Sequence, residues 1–256
     1  MRLPLVLAVL LAAASARAAA ADMDAVFACM RANIPDTVRI QTVELTAFDR
    51  GGGQRQLRGK VYGMREKGLV RLMMKVAAPP DLAGAAYLVR EATPADEMYM
   101  FLPALNRTRR ITGAALDGKL WGTDLSYTDL KQVQNAFSVG KATAEPPVML
   151  ENRPTYVFSM VPKPGEAAHY SKVRAFVDQK TCVAMKAEFY EGAAVRKEMS
   201  VAAKDLLQSG KYWYAGDLTL KDLKDGTHTR LRVLGVSSGD KLSTGYFNPA
   251  QFQLGN

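Results

Sequence analysis

From residue 37 onward, apolar and polar positions alternate with a period of two, and turn-forming residues interrupt the alternation at fairly regular intervals. Strands are predicted over 37–49, 54–65, 69–76, 86–91, 97–102 and 107–112. A second run covers 141–151, 155–161, 170–178, 181–191, 195–204, 212–221 and 227–236. "RGGGQ", "DQK" and "EGA" supply hairpin turns. Within the first strand Val38 and Ile40 give way to Val43, Leu45 and Ala47, a change of phase that predicts a bulge near Gln41 or Thr42. Before the strands, residues 24–33 read as a short helix with Ala25, Cys29 and Ala32 on one side and Pro35 beyond its end. Residues 113–139 break the strand rhythm with glycines, a tryptophan and a helical turn over 127–134. The tail 243–254 reads as a turn or short helix folding back.

About a dozen antiparallel strands with few helices predict a mainly β fold: one strongly curved antiparallel sheet forming a half-open, incomplete β-barrel. No linker, low-complexity tract or compelling repeat divides the chain. Residues 1–20 have the layout of a secretory signal peptide: Arg2, an apolar run from Leu3 to Ala14, then small residues. A cleaved leader over 1–20 and a single β domain over 21–256 in the periplasm are expected. Asp22 and Asp24 separate Cys29 from the apolar run, where a lipid-modification box would abut it.

The composition narrows the chemistry. In an oxidising compartment the two cysteines, Cys29 and Cys182, are expected to form a disulfide. His169 and His228 belong to no metal-binding spacing, and no nucleophile elbow, P-loop or dinucleotide fingerprint occurs. Asp124 and Asp129 read as turn formers, with Asp124 placed to cap the 127–134 helix. A non-enzymatic protein without metal or cofactor is expected. The formal net charge of +9 suits contact with anionic membrane surfaces, and no nucleic-acid-binding motif accompanies it.

Of 12 methionines, Met73, Met74, Met98, Met100, Met160, Met185 and Met199 fall on predicted strands. Flexible, polarizable methionine fills irregular cores and also lines surfaces that accept varied apolar partners. Alternation leaves a filled core and an open apolar cavity equally open. The candidate lining is Met74, Met100, Leu102, Trp121, Phe158, Met160, Met185 and Phe189. In "MYMFLPALNRTRRI", Met98, Met100 and Leu102 share one strand face and Tyr99 and Phe101 the other, so both faces should be covered. Arg107, Arg109 and Arg110 follow as a rim where the sheet meets water, suited to headgroups or an acidic partner.

The helix containing Cys29, "YMFLPALNRTRRI", "GTDLSYTDL" and "KTCVAMKAEFYEG" together resemble the outer-membrane lipoprotein-sorting family related to the LolA and LolB carriers. The resemblance implies a half-open barrel whose concave apolar face is covered by helices and loops, with residues 121–130 in the covering segment. It implies a periplasmic carrier for a lipid or lipidated protein; a monomer is expected. It also implies an inner-membrane exporter of the resistance-nodulation-division type as partner. A structural or interaction module of an envelope complex is the alternative.

Overall fold

The computed structural model describes residues 21–254 except 94, 135–136, 138–140, 163–168, 240–241 and 243. The expected leader, residues 1–20, lies outside the described residues. Helix α1 (Met23–Ala32) starts where the Asp22 carboxylate accepts the backbone N–H groups of Asp24 and Ala25. The strands that follow are β1 (Arg39–Phe48), β2 (Gln54–Glu66), β3 (Leu69–Ala78), β4 (Ala86–Arg90), β5 (Glu97–Leu102) and β6 (Arg107–Ile111). After the short helix α2 (Asp129–Val133) come β7 (Lys141–Leu150), β8 (Arg153–Val161), β9 (Lys172–Asp178), β10 (Ala184–Glu191) and β11 (Ala194–Ser200). The last four are β12 (Leu206–Ser209), β13 (Tyr212–Ala215), β14 (Asp217–Asp222) and β15 (Thr227–Ser238).

Thirteen strands form one antiparallel sheet in the order β6-β5-β4-β3-β2-β1-β15-β14-β11-β10-β9-β8-β7. The sheet is open and curved and does not close into a barrel. Two meanders thus meet at the central β1·β15 pair, and β6 and β7 occupy opposite edges. Because β6 and β7 are consecutive in the chain, their connection has to travel from one edge to the other. It does so across the concave face, where Leu120, Trp121, Leu125, Tyr127, Leu130 and Phe137 join the main core cluster.

The concave core contains Val26 and Met30 of α1 and residues from both meanders. The convex face carries a smaller cluster in which Phe247 and Phe252 of the tail pack on Met73, Ala86 and Leu88. This explains the two-sided apolar character of β5. Met98 faces the concave core with Met100 and Leu102, while Tyr99 and Phe101 lie beneath the tail.

The β1·β15 register shifts between Thr42 and Val43, and the additional residue, Leu234, belongs to β15. In its pairing with β2, β1 keeps one alternation throughout. The apparent phase change has another cause: Arg39 and Gln41 begin the concave series, while Ile40 packs with the convex cluster under the tail. Residues 212–221, expected as one strand, divide at Gly216. A Cβ there would sit 2.4 Å from the Leu207 side chain, so the chain passes close to β12 and changes partner. Strand β13 pairs with β12 and β14 with β11.

Candidate functional site: the covered concave face

The residues expected to line an apolar cavity come together. Met74, Trp121, Phe158, Met160, Met185 and Phe189 are buried in the concave cluster, and Met100 and Leu102 pack against it partly buried. The face is closed by the chain's own side chains. Phe27 of α1 and Phe137 both meet Phe158 edge-on, with ring centroids 5.1 and 6.2 Å away. Recesses remain among the described residues. One, of about 280 Å³, lies beside the start of α1 at Ala21, Asp22, Val26 and Tyr156. Another is a cleft of about 20 Å³ between Arg39, Gln132 and Trp213, room for a water or two.

Polar side chains fasten the covering segment, residues 113–134, to the sheet. The Tyr87 hydroxyl donates to the Tyr127 carbonyl at 2.5 Å. Lys197 Nζ on β11 donates to the Asp124 carbonyl at 2.7 Å and to Asp129 Oδ2 at 3.0 Å. Asp129 is completely buried and also accepts the Tyr170 hydroxyl at 3.0 Å and the Ser126 backbone N–H at 2.7 Å. Burial, then the charge of Asp129, pushes the Tyr170 phenol well above its ordinary range. Asp124 does not cap α2; Thr128 precedes that helix without a side-chain capping bond. Its carboxylate instead accepts the hydroxyls of Thr227 and Thr229 on β15. Both aspartates are therefore occupied in holding the cover down.

A second fastening lies at the end of the cover. Glu91 accepts a bidentate pair from Arg31 of α1 at 2.7 and 2.8 Å, and the Val70 backbone N–H at 2.9 Å. Lys131 of α2 lies 3.5 Å from Glu91 and donates to Asp96 at 2.7 Å. Burial raises the affinity of Glu91 for a proton, but the Arg31 hydrogen bonds, the Lys131 charge and the Val70 amide outweigh it, bringing the carboxyl down to about 2. A depressed folded-state pKa contributes stability above the unfolded value and loses it as pH falls toward the folded one. Glu91→Gln should therefore cost about 2 kcal/mol at neutral pH. The deficit should shrink as pH falls from about 4.5 to about 2, measured by urea denaturation across that range. A deficit independent of pH would contradict this role.

The three arginines fall on edge strand β6. Arg107 and Arg109 stand opposite Leu102 and Met100 on the concave side, and Arg110 opposite Tyr99 on the other. All three are exposed. Cys29 and Cys182 are joined, with Cα atoms 5.8 Å apart, which ties α1 to the chain just before β10. His228 stacks on Phe48, and His169 Nδ1 lies 3.3 Å from Asp117. Among the described residues no group of acids, histidines and cysteines is arranged to hold a metal, and no helix is long and apolar enough to cross a membrane.

Sequence reasoning missed Arg39. Its strand position reads as an ordinary surface charge, yet it is 8% exposed and points with Gln41 into the concave side. The only available signal was its phase with Val43 and Leu45, visible once Ile40 is assigned to the opposite face.

A family model described as "-like: Uncharacterized protein" matches residues 68–253. No curated protein matches the chain. Among solved structures, the chain is similar to an outer-membrane lipoprotein-sorting protein domain from Vibrio parahaemolyticus. The two are 21% identical over 90% of this chain and 97% of that one, with a TM-score of 0.80. A DUF1329 family protein from Desulfovibrio piger is 19% identical, with 88% and 96% covered and a TM-score of 0.78. A LolA superfamily protein from Nitrosomonas europaea is 16% identical, with 90% and 98% covered and a TM-score of 0.68. These likenesses establish the fold.

Proposed function

The chain belongs to the family whose model spans residues 68–253 and has the LolA-like fold, and on that premise we propose that it is a periplasmic carrier of a lipid or lipidated molecule. One observation carries the reading: a continuous apolar concave face is covered by an edge-to-edge connection pinned by side chains. A cover of this kind can be displaced without unpairing the sheet. Acyl chains would then replace Leu120, Trp121, Leu125 and Leu130 against Met74, Phe158, Met160, Met185 and Phe189, each buried CH₂ gaining about 0.8 kcal/mol. In this reading Met100 and Leu102 line the same path, and Arg107, Arg109 and Arg110 meet phospholipid headgroups at a membrane surface. The leader over 1–20 delivers the chain to the periplasm, where it acts as a monomer beside an exporter of the resistance-nodulation-division type.

Protein purified under native conditions should carry extractable lipid, and uptake of a fluorescent lipid should raise backbone hydrogen exchange across residues 120–134. Native mass spectrometry showing bare protein only, together with no uptake, would end the carrier reading. The closed concave face favours a second reading, a packed module that docks within an envelope complex. That reading requires the cover to stay protected under all these conditions.

A further inference from the structure

The cleft beside Arg39 has walls from four parts of the chain. Arg39 and Gln41 come from the start of β1, Gln132 and Gln134 from the end of the cover, and Trp213 from the β12–β13 hairpin; Met199 and Leu218 form its apolar floor. Asn33 fixes these walls. Its amide donates to the Thr181 carbonyl at 2.7 Å, and its side-chain oxygen accepts the Trp213 backbone N–H at 2.9 Å. Among the described residues the guanidinium of Arg39 makes a single side-chain hydrogen bond, from Nη1 to the Asn33 carbonyl at 3.0 Å. It forms no ion pair with any acid among the described residues. Burial holds its pKa down to about 10, with only the phenols of Tyr214 and Tyr212 acting the other way. Gln132, 6% exposed, lines the same cleft, and its Oε1 has no hydrogen-bond partner among the described residues.

A buried cation without a counter-charge is expensive to fold around, and a neighbouring amide with an unmatched atom adds to that cost. The first feature is what an anion-binding site looks like without its anion, a guanidinium fork for two oxygens; the unmatched Gln132 Oε1 is an acceptor, so that side chain could serve an anion only through its amide N–H. The free space, a water or two, matches a carboxylate group better than a substituted phosphodiester. Met199 and Leu218, which line the cleft, belong to the concave cluster that contains Met185 and Phe189, so the cleft borders the apolar face. We propose that Arg39 binds the carboxylate of a long-chain aliphatic acid whose hydrocarbon chain runs beneath the cover. This assignment rests on the carrier reading and names its substrate class.

Dansylated undecanoic acid and its methyl ester distinguish the two levels, titrated into the wild-type protein at neutral pH. The acid should bind at least about tenfold more tightly than the ester, the factor expected from a charge-assisted hydrogen-bonded pair. Arg39→Met should abolish that preference by weakening the acid and leaving the ester unchanged, whereas Arg39→Lys should retain part of it. Because Arg39 has no counter-charge, Arg39→Met should melt close to the wild-type temperature. Equal affinities for acid and ester in the wild type would overturn the carboxylate site and leave the carrier reading standing. Failure of both ligands to bind would overturn the two together. A large fall in the melting temperature of Arg39→Met would assign Arg39 to structure instead. The wild-type comparison holds even if a variant fails to fold.

Discussion

Replacing Asp129 with alanine should destabilise the protein by about 3–5 kcal/mol at neutral pH. Asp129 is wholly buried and is the ion-pair partner of Lys197, itself 4% exposed. With the carboxylate gone, the ammonium keeps the Asp124 carbonyl as its hydrogen-bond acceptor among the described residues, and the Tyr170 hydroxyl and Ser126 N–H lose the Asp129 acceptor. Stranding a charge costs more than the pair itself contributes, so the double variant Asp129→Leu with Lys197→Met should recover most of the loss. Urea denaturation of the two singles and the double measures the coupling directly. A single variant within about 1 kcal/mol of wild type would show that the pair does not hold the cover. The same substitution should raise hydrogen exchange over 120–134 before the sheet responds, because these bonds join cover to sheet and not strand to strand.

Removing the disulfide is the other large effect. Cys29 and Cys182 are separated by 153 positions, and closing a loop of that size in the unfolded chain is worth about 5 kcal/mol in the chain-entropy account. A realised loss of about 2–5 kcal/mol is expected for Cys29→Ser with Cys182→Ser. Since the effect acts on the unfolded ensemble, the denaturation midpoint should fall and the slope against urea should steepen as that ensemble expands. An unchanged midpoint after full reduction would refute it. Local damage should concentrate at α1, whose Arg31 and Asn33 anchors lie within four residues of Cys29.

Strand by strand, the sheet was legible because one residue type per face is enough to report burial. The segment 97–102 declared itself covered on both sides, and the concave cluster and the tail supply the two covers. The cover itself was legible only as an interruption. Leu120, Leu125 and Leu130 have neither strand nor helix spacing, because their positions answer to hollows in a distant surface and not to a local period. The strand over 206–209 was missed, and Gly216 reads as an unremarkable residue until β12 is placed against it. Arg39 escaped because alternation identifies a face, while burial of a charge depends on what the rest of the chain lays over it. The resemblance to the lipoprotein-sorting family agreed with the fold and carried no information about that arginine.

The central β1·β15 pairing sets an order of events for a chain made from its N-terminus. Strand β1 is among the first structures formed, yet its outer partner is completed only near residue 238. Until then β1, the inner edge of the six-strand meander, has unpaired amides and carbonyls open to any other strand in the same condition. Closure has to bring together segments almost a whole chain apart, and contacts of that sequence separation form slowly. The finished protein is thus guarded at its outer edges by short or charged strands, while the unfinished one is most exposed along the seam that later becomes its centre.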